Sequence, residues 1–268
     1  MPPPTAPAPV RSQTVALIGR AGVPVEAKVM EIGNGRPIVF LHGLVGQNEH
    51  WEEVAKRLSH PARCIMLELP LLNLEGEDCS IHGATDLAAV FLREHVQEPA
   101  TIVGNSFGGH VALKLAIEQP HLVRALVLTG ASGLIEKSIV SDVQIRPSME
   151  WVERRIGELF YDRSKMLVSD VSRAHEVLSR RPQARAMVKL SKSARRNHLG
   201  DELHRISCPT LILWGRQDIV TPPEACEQFR RDISDSRVVW IEECGHAPMI
   251  ECPGPFAEAL GVFLSQLP

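Results

Sequence analysis

Long apolar runs are missing from this chain. Hydrophobic residues make up 44% of it, enough for a sizeable core. Yet no stretch approaches the ~18–20 residues of a membrane span, so none is expected. Clustered cysteines are missing too. Cys64, Cys79, Cys208, Cys226, Cys244 and Cys252 are scattered, with no Cys-x-x-Cys and no Cys/His spacing that suggests zinc. They read as reduced thiols of a cytoplasmic protein, and no metal is expected; the sequence leaves a Cys244–Cys252 bridge open. A net charge of −3 carries no footprint of nucleic-acid binding. No Ca²⁺ loop, phosphate loop or dinucleotide glycine pattern occurs, so no cofactor is implied. No internal repeat is visible. The start of the chain lacks the basic n-region and apolar run of a signal peptide. Its Pro-rich opening reads as a disordered arm over residues 1–11.

What is present centres on Val103-Gly104-Asn105-Ser106-Phe107-Gly108-Gly109. Residues 100–103 before it are apolar and partly β-branched, a buried strand. Residues 111–118 after it are rich in helix formers and end at Pro120. A serine at a strand-to-helix turn, with glycines two residues to either side, is a nucleophile elbow. The turn strains the backbone at Ser106, and Cβ atoms at 104 and 108 are expected to collide with the neighbouring strand and helix.

The rest of the chain alternates strands and helices. Residues 15–18 and 25–32 read as an antiparallel pair, then 37–41 as a buried strand. Further strands are expected at 64–69, 122–129, 210–214 and 237–241. Helices are expected at 51–58, 85–96 and 255–264, with another ending near Phe229. This alternation implies parallel pairing through crossovers, an α/β fold. It lapses between about 134 and 206, where three helices and no core strand are read. Residues 146–205 hold 14 Lys and Arg against 8 Asp and Glu, while the remainder holds 15 against 24. A basic helical insertion thus sits on an acidic α/β body. Its plainest reading is a solvated face; the functional one is a cap whose cations attract anionic substrates. The expected organisation is a core of residues 12–133 and 207–268, with a helical cap at 134–206.

A serine hydroxyl needs a base within hydrogen-bond reach, and the base needs an orienting carboxylate. In α/β sheets such groups sit at the carboxyl ends of parallel strands. Asp218 follows the 210–214 strand and His246 follows the 237–241 strand. The catalytic set is therefore read as Ser106, Asp218 and His246. His42 also ends a strand, but Gly43 beside it suggests that it shapes the loop. His110 should point away from the turn. The other histidines read as surface or packing residues. The oxyanion donors are expected to be the backbone N–H groups of Leu44 and Phe107, whose side chains would form an apolar wall. His42, Gly43 and Asn105 are taken as pocket residues.

Taken together, His42-Gly43-Leu44, the turn at 104–109, Trp214-Gly215-Arg216-Gln217-Asp218 and Gly245-His246-Ala247-Pro248-Met249-Ile250-Glu251 resemble the α/β-hydrolase fold family, in its capped serine-hydrolase branch. The resemblance spans roughly residues 25–268. It implies a mostly parallel eight-stranded sheet flanked by helices, with a helical cap inserted after strand 6. Gly-Asn-Ser-x-Gly-Gly is also similar to hydrolases that cleave carbon–carbon bonds in ring-fission dienoates. There an asparagine precedes the serine and a cap arginine binds substrate; Asn105 matches, and Arg185 is among the cap arginines. Two departures count against that branch: Leu44-Val45-Gly46-Gln47-Asn48 replaces a Gly/Pro-rich stretch, and Ala247 stands where an aromatic residue usually follows the histidine. Pro70-Leu71-Leu72-Asn73 replaces a Pro-Gly-x-Gly loop that borders the pocket in relatives, which points to an unusual substrate. Serine at 106 argues against dehalogenase or epoxide-hydrolase chemistry, which uses aspartate there.

The expectation is a carboxylic-ester hydrolase acting on a small-molecule ester through an acyl-enzyme. Its rivals are the carbon–carbon hydrolase and a non-catalytic ligand-binding scaffold of the same fold. Thioesters and lactones use the same triad. Acyl preference and oligomeric state are not legible.

Overall fold

The computed structural model describes residues 9–135 and 147–268. The first eight residues of the expected arm, and residues 136–146 of the expected insertion, lie outside the described residues. Arg11, the last residue of that arm, already opens β1.

Eight strands form one sheet in the order β1-β2-β4-β3-β5-β6-β7-β8. They are β1 (Arg11–Ile18), β2 (Pro24–Gly33), β3 (Arg36–Leu41), β4 (Ala62–Glu68), β5 (Ala100–Asn105), β6 (Val123–Thr129), β7 (Thr210–Gly215) and β8 (Ser236–Ile241). β2 pairs antiparallel with both β1 and β4, and every later pairing is parallel. The core helices are α1 (Glu49–Leu58), α2 (Ile81–Phe91) and α3 (Phe107–Glu118). Between β6 and β7 come α4 (Met149–Gly157), α5 (Val168–Leu178) and α6 (Arg181–Arg196). α7 (Pro223–Asp232), α8 (Pro248–Glu251) and α9 (Pro253–Ser265) follow.

The central strands are apolar on both faces because helices cover both. Val39 and Leu41 of β3 join one core cluster, with Leu126 and Leu128 of β6 and the buried faces of α2, α3 and α7. Ile38, Phe40, Ala125 and Val127 point the other way, against α1 and α9. The period-2 alternation of β-structure thus divides each strand between two cores. α4 and α5 bury Trp151, Val152 and Val171 in the second core, whereas α6 adds Leu190 to the first.

Register brings the functional loops level. Leu41 of β3 lies opposite Gly104 of β5, Asn105 opposite Thr129 of β6, and Gly215 of β7 opposite Ile241 of β8. The loops after β3, β5, β6, β7 and β8 therefore leave the sheet along one carboxyl edge. All six cysteines are free thiols, which closes the question of a Cys244–Cys252 bridge. Among the described residues no helix is long and apolar enough to cross a membrane.

Candidate active site

Ser106 sits between β5 and α3 with φ 54° and ψ −119°. For a residue with a Cβ this is a strained conformation. Close packing around the turn holds it. A Cβ on Gly104 would run into the backbone of Gly108, and one on Gly108 into the carbonyl of Leu41 in β3. The Ser106 backbone N–H donates to the Thr129 carbonyl at 3.2 Å. The Ser106 carbonyl accepts from His110 and Ser132, both at 3.1 Å. The strain is thus offset by hydrogen bonds on both sides of the residue.

Asp218 and His246 meet 28 residues apart in sequence. Nδ1 of His246 donates to Oδ2 of Asp218 at 2.8 Å. Three further donors converge on the same carboxylate. The Val220 and Thr221 backbone N–H groups reach Oδ1 at 2.8 and 3.0 Å, and the Thr221 hydroxyl reaches Oδ2 at 2.8 Å. With four donors the carboxylate has no free acceptor direction and cannot rotate. Trp214 Nε1 donates to the Thr221 carbonyl at 3.0 Å and fixes the loop from beneath.

The histidine loop is tied from three sides. Asn105 Nδ2 donates to the His246 carbonyl at 2.9 Å and to the Thr129 carbonyl at 3.1 Å. The His246 backbone N–H donates to the Leu159 carbonyl, just past α4, at 2.8 Å. Glu251, which is buried, accepts from the Gly245 N–H at 2.7 Å and the Asp162 N–H at 2.6 Å. Gly130 lies directly against the imidazole at φ 50°, where a Cβ would stand 2.7 Å from Nδ1.

Ser106 and His246 line one cavity of about 130 Å³. Its floor includes Gly43, Leu44 and Asn105, and its walls include Ile156, Phe160 and Met187 from the segment between β6 and β7. Several expectations change here. Leu44, Gly43 and Asn105 line the cavity, but His42 does not. His42 is buried and its Nδ1 donates to the Gly43 carbonyl at 2.6 Å, so it shapes the loop. Burial also lowers its pKa, although the Gly43 carbonyl opposes the shift. Phe107 does not form the expected apolar wall. As the first residue of α3 its ring turns down among Leu67, Leu69 and Val111, because an apolar ring gains most by leaving water. Its backbone N–H stays at the helix end, where first-turn groups have no intrahelical acceptor. Arg185 does not reach this cavity either; it lines another. Pro70 to Asn73 is also absent from the lining. Leu71 is buried instead, and Asn73 Oδ1 accepts from Gln183 Nε2 of α6 at 2.9 Å.

Three polar residues in the cavity were not singled out in the sequence. Nε2 of His50 lies 3.2 Å from Oδ2 of Asp170. Arg173 Nη2 donates to the Val45 carbonyl at 2.8 Å. Burial opposes ionisation of Asp170, but the bond from His50 and the charges of His50 and Arg173 outweigh it, so its carboxyl lies below the ordinary range. No local motif marks these residues. His50 and Asp170 are 120 positions apart, and only the docking of α5 joins them. Arg173 thereby holds the loop that carries Leu44.

His110 points away from the cavity, as expected. It is fully buried, with Nε2 donating to Asn197 Oδ1 at 3.2 Å. Burial pushes its pKa down to about 4. The ordinary unfolded value is about 6.5, so the unfolded chain binds the proton first as pH falls. The stability of the neutral buried ring is complete above about pH 6.5 and is lost progressively toward pH 4. Urea unfolding at pH 7.5 and 4.5 should therefore show the parent protein losing about 2 kcal/mol more than His110→Gln. Parallel losses would contradict this assignment.

Among the described residues no group of three or more His, Cys, Asp or Glu side chains is arranged to hold a metal ion. What the arrangement can do is acyl transfer at a strained serine, with an oriented imidazole on the same cavity.

The chain is similar to known proteins. The Alpha/beta hydrolase family profile matches residues 38–259. The chain is 26% identical over 247 residues to a pimeloyl-[acyl-carrier protein] methyl ester esterase of Nitrosomonas europaea, covering 84% of this chain and 94% of that protein. It is 29% identical over 259 residues to a 2-hydroxy-6-oxo-2,4-heptadienoate hydrolase of Pseudomonas putida, covering 90% and 93%. Among solved structures it matches MGS-MChE2, an alpha/beta hydrolase enzyme from the sediment metagenome of the Mar Chica lagoon. That match has a TM-score of 0.73 and 30% identity over 90% of this chain and 95% of the other.

Proposed function

The chain belongs to the alpha/beta hydrolase family, and from that premise we propose that it is a serine hydrolase of small carboxylic esters. Ser106 attacks the acyl carbon while His246 takes its proton. Asp218 holds the imidazole tautomer and stabilises the imidazolium. The backbone N–H groups of Leu44 and Phe107 receive the oxyanion. His246 then protonates the leaving alcohol, and a water activated by the same imidazole releases the acid. The segment from 134 to 206 acts as a cap over the core of residues 12–133 and 207–268.

The observation that carries this reading is the 2.8 Å bond from His246 Nδ1 to Asp218 Oδ2, made by a histidine that shares a cavity with Ser106. A pimeloyl-[acyl-carrier protein] methyl ester esterase among the relatives also favours an ester. The second reading, a carbon–carbon hydrolase of ring-fission dienoates, is favoured by the 29% identity to a 2-hydroxy-6-oxo-2,4-heptadienoate hydrolase. Asn105 weighs less for it than the sequence suggested, since its amide is taken up by two backbone carbonyls. Arg185 lines a different cavity.

The cavity's size makes a specific demand. At about 130 Å³ it lies below the roughly 300–1,000 Å³ of small-molecule sites, which favours a short acyl chain over a long one. The p-nitrophenyl ester series from acetate to decanoate should give a kcat/KM for butyrate at least about tenfold above that for decanoate, a difference of about 1.4 kcal/mol. A 2-hydroxy-6-oxo-dienoate belongs in the same panel. Loss of its yellow colour, with no turnover of any ester, would overturn the ester reading in favour of the second.

A further inference from the structure

Two cavities flank α6. Met187 lines the one over Ser106, whereas Arg181, Arg185, Lys189, Lys192 and Arg196 line a second of about 880 Å³. No described residue lines both. The five cations of α6 therefore face a place other than the catalytic cavity, which among the described cations of the insertion is lined by Arg173. At 3.6 residues per turn, those five cations fall within an arc of about 80° and along about 22 Å of helix. Each has a like-charged neighbour three or four residues away, an arrangement that destabilises a helix unless an anion relieves it.

All five cations are exposed, and among the described residues no Asp or Glu lines the cavity. Arg181, Arg185, Lys192 and Arg196 have no ion-pair or hydrogen-bond partner among the described residues. Lys189 donates only to the Gly76 carbonyl, at 2.5 Å. Leu178, Ala184 and Val188 add apolar surface beside the cations. His82, at the opposite side, has its pKa lowered chiefly by burial and then by Lys114 and Arg20, with Glu118 and Asp86 opposing.

We propose that this groove binds a multiply charged small molecule of the organic polyphosphate class, away from the site of ester cleavage. Arg guanidinium forks match phosphate oxygens bidentately. A single phosphate is too short for a row of about 22 Å, so several charges on one ligand are required. The apolar patch takes the organic part, and the volume lies within the roughly 300–1,000 Å³ of small-molecule sites. The proposal does not depend on the reaction at Ser106.

Isothermal titration of the full chain at a fixed ionic strength of about 0.15 M tests it, with ATP, inorganic tripolyphosphate, sulfate and poly-glutamate as probes. The expected result is saturable binding of ATP and tripolyphosphate, ATP the tighter, with none for sulfate. Lys192→Gln combined with Arg196→Gln should weaken ATP at least about tenfold while p-nitrophenyl butyrate turnover stays unchanged. Should that variant fail to fold, Arg181→Gln combined with Arg185→Gln reads the same row from its other end. Absence of saturable polyphosphate binding would overturn the proposal. So would undiminished ATP binding in either folded variant, or poly-glutamate binding tighter than ATP, which would make the groove a macromolecular surface.

Discussion

Ser106→Ala should lower kcat for p-nitrophenyl butyrate by about 10⁵–10⁶, close to what removal of a whole triad costs. The magnitude follows from the geometry. The residue holds its hydroxyl at φ 54° on a turn packed against β3 and α3. Among the described residues no other serine lines the cavity; Ser132 is buried, with its hydroxyl 3.5 Å from Nδ1 of His110. The substitution removes one oxygen and leaves every backbone hydrogen bond of the turn intact. The variant should therefore match the parent in far-ultraviolet circular dichroism and unfold within about 0.5 kcal/mol of it. If activity and fold fell together, the assignment would not follow; if turnover survived in a folded variant, Ser106 would not be the nucleophile.

Asp218→Asn should cost about 10⁴ in kcat with little change in KM. The carboxylate accepts from four donors: His246 Nδ1, the Thr221 hydroxyl and two backbone N–H groups. An asparagine keeps the shape but offers one acceptor oxygen and one amide donor. The two N–H groups on Oδ1 claim the oxygen, so the amide nitrogen faces His246. Nδ1 must then accept, which places the imidazole proton on Nε2, the atom needed as base. The Thr221 hydroxyl, 3.1 Å from Nδ1, can donate to it and reinforces the wrong tautomer. Stability should change by less than activity, since packing is conserved. Equal kcat in parent and variant would remove Asp218 from the mechanism.

Much of this architecture was legible because its signals are local. Gly104 and Gly108 announce a turn that only glycine tolerates at those two places, and the collisions expected there occur with Gly108 itself and with Leu41. Asp218 and His246 were legible because strand ends locate them, and the register of β7 with β8 sets both loops at one level. Side-chain direction was not legible. Phe107 supplies an N–H at the helix end whichever way its ring points, and the ring went to the core. Nor was long-range docking. His50, Asp170 and Arg173 come together only because α5 packs over the loop after β3. The tie between Glu251 and Asp162 joins the histidine loop to the insertion across 89 residues. The charge count of the insertion was legible, but which face of it carries the cations was left open between a solvated face and a cap over the site. α6 turns its cations away from Ser106, and Arg185 goes with them.

These contacts also sharpen what the segment between β6 and β7 does. Leu159 accepts from the His246 N–H, and Arg173 donates to the loop that presents Leu44. The insertion therefore braces the proposed base and one proposed oxyanion donor, besides narrowing the cavity. A site held within a few tenths of an ångström by such neighbours is what acyl transfer at a serine requires.

The central claim is that Ser106 is an activated nucleophile. It is tested most directly by treating the protein with a fluorophosphonate, measuring intact mass and mapping the modified peptide. The account predicts a single phosphonyl adduct on Ser106, formed rapidly in the parent, far more slowly in Asp218→Asn and not at all in Ser106→Ala. An unmodified parent protein, or an adduct on any other residue, would contradict it.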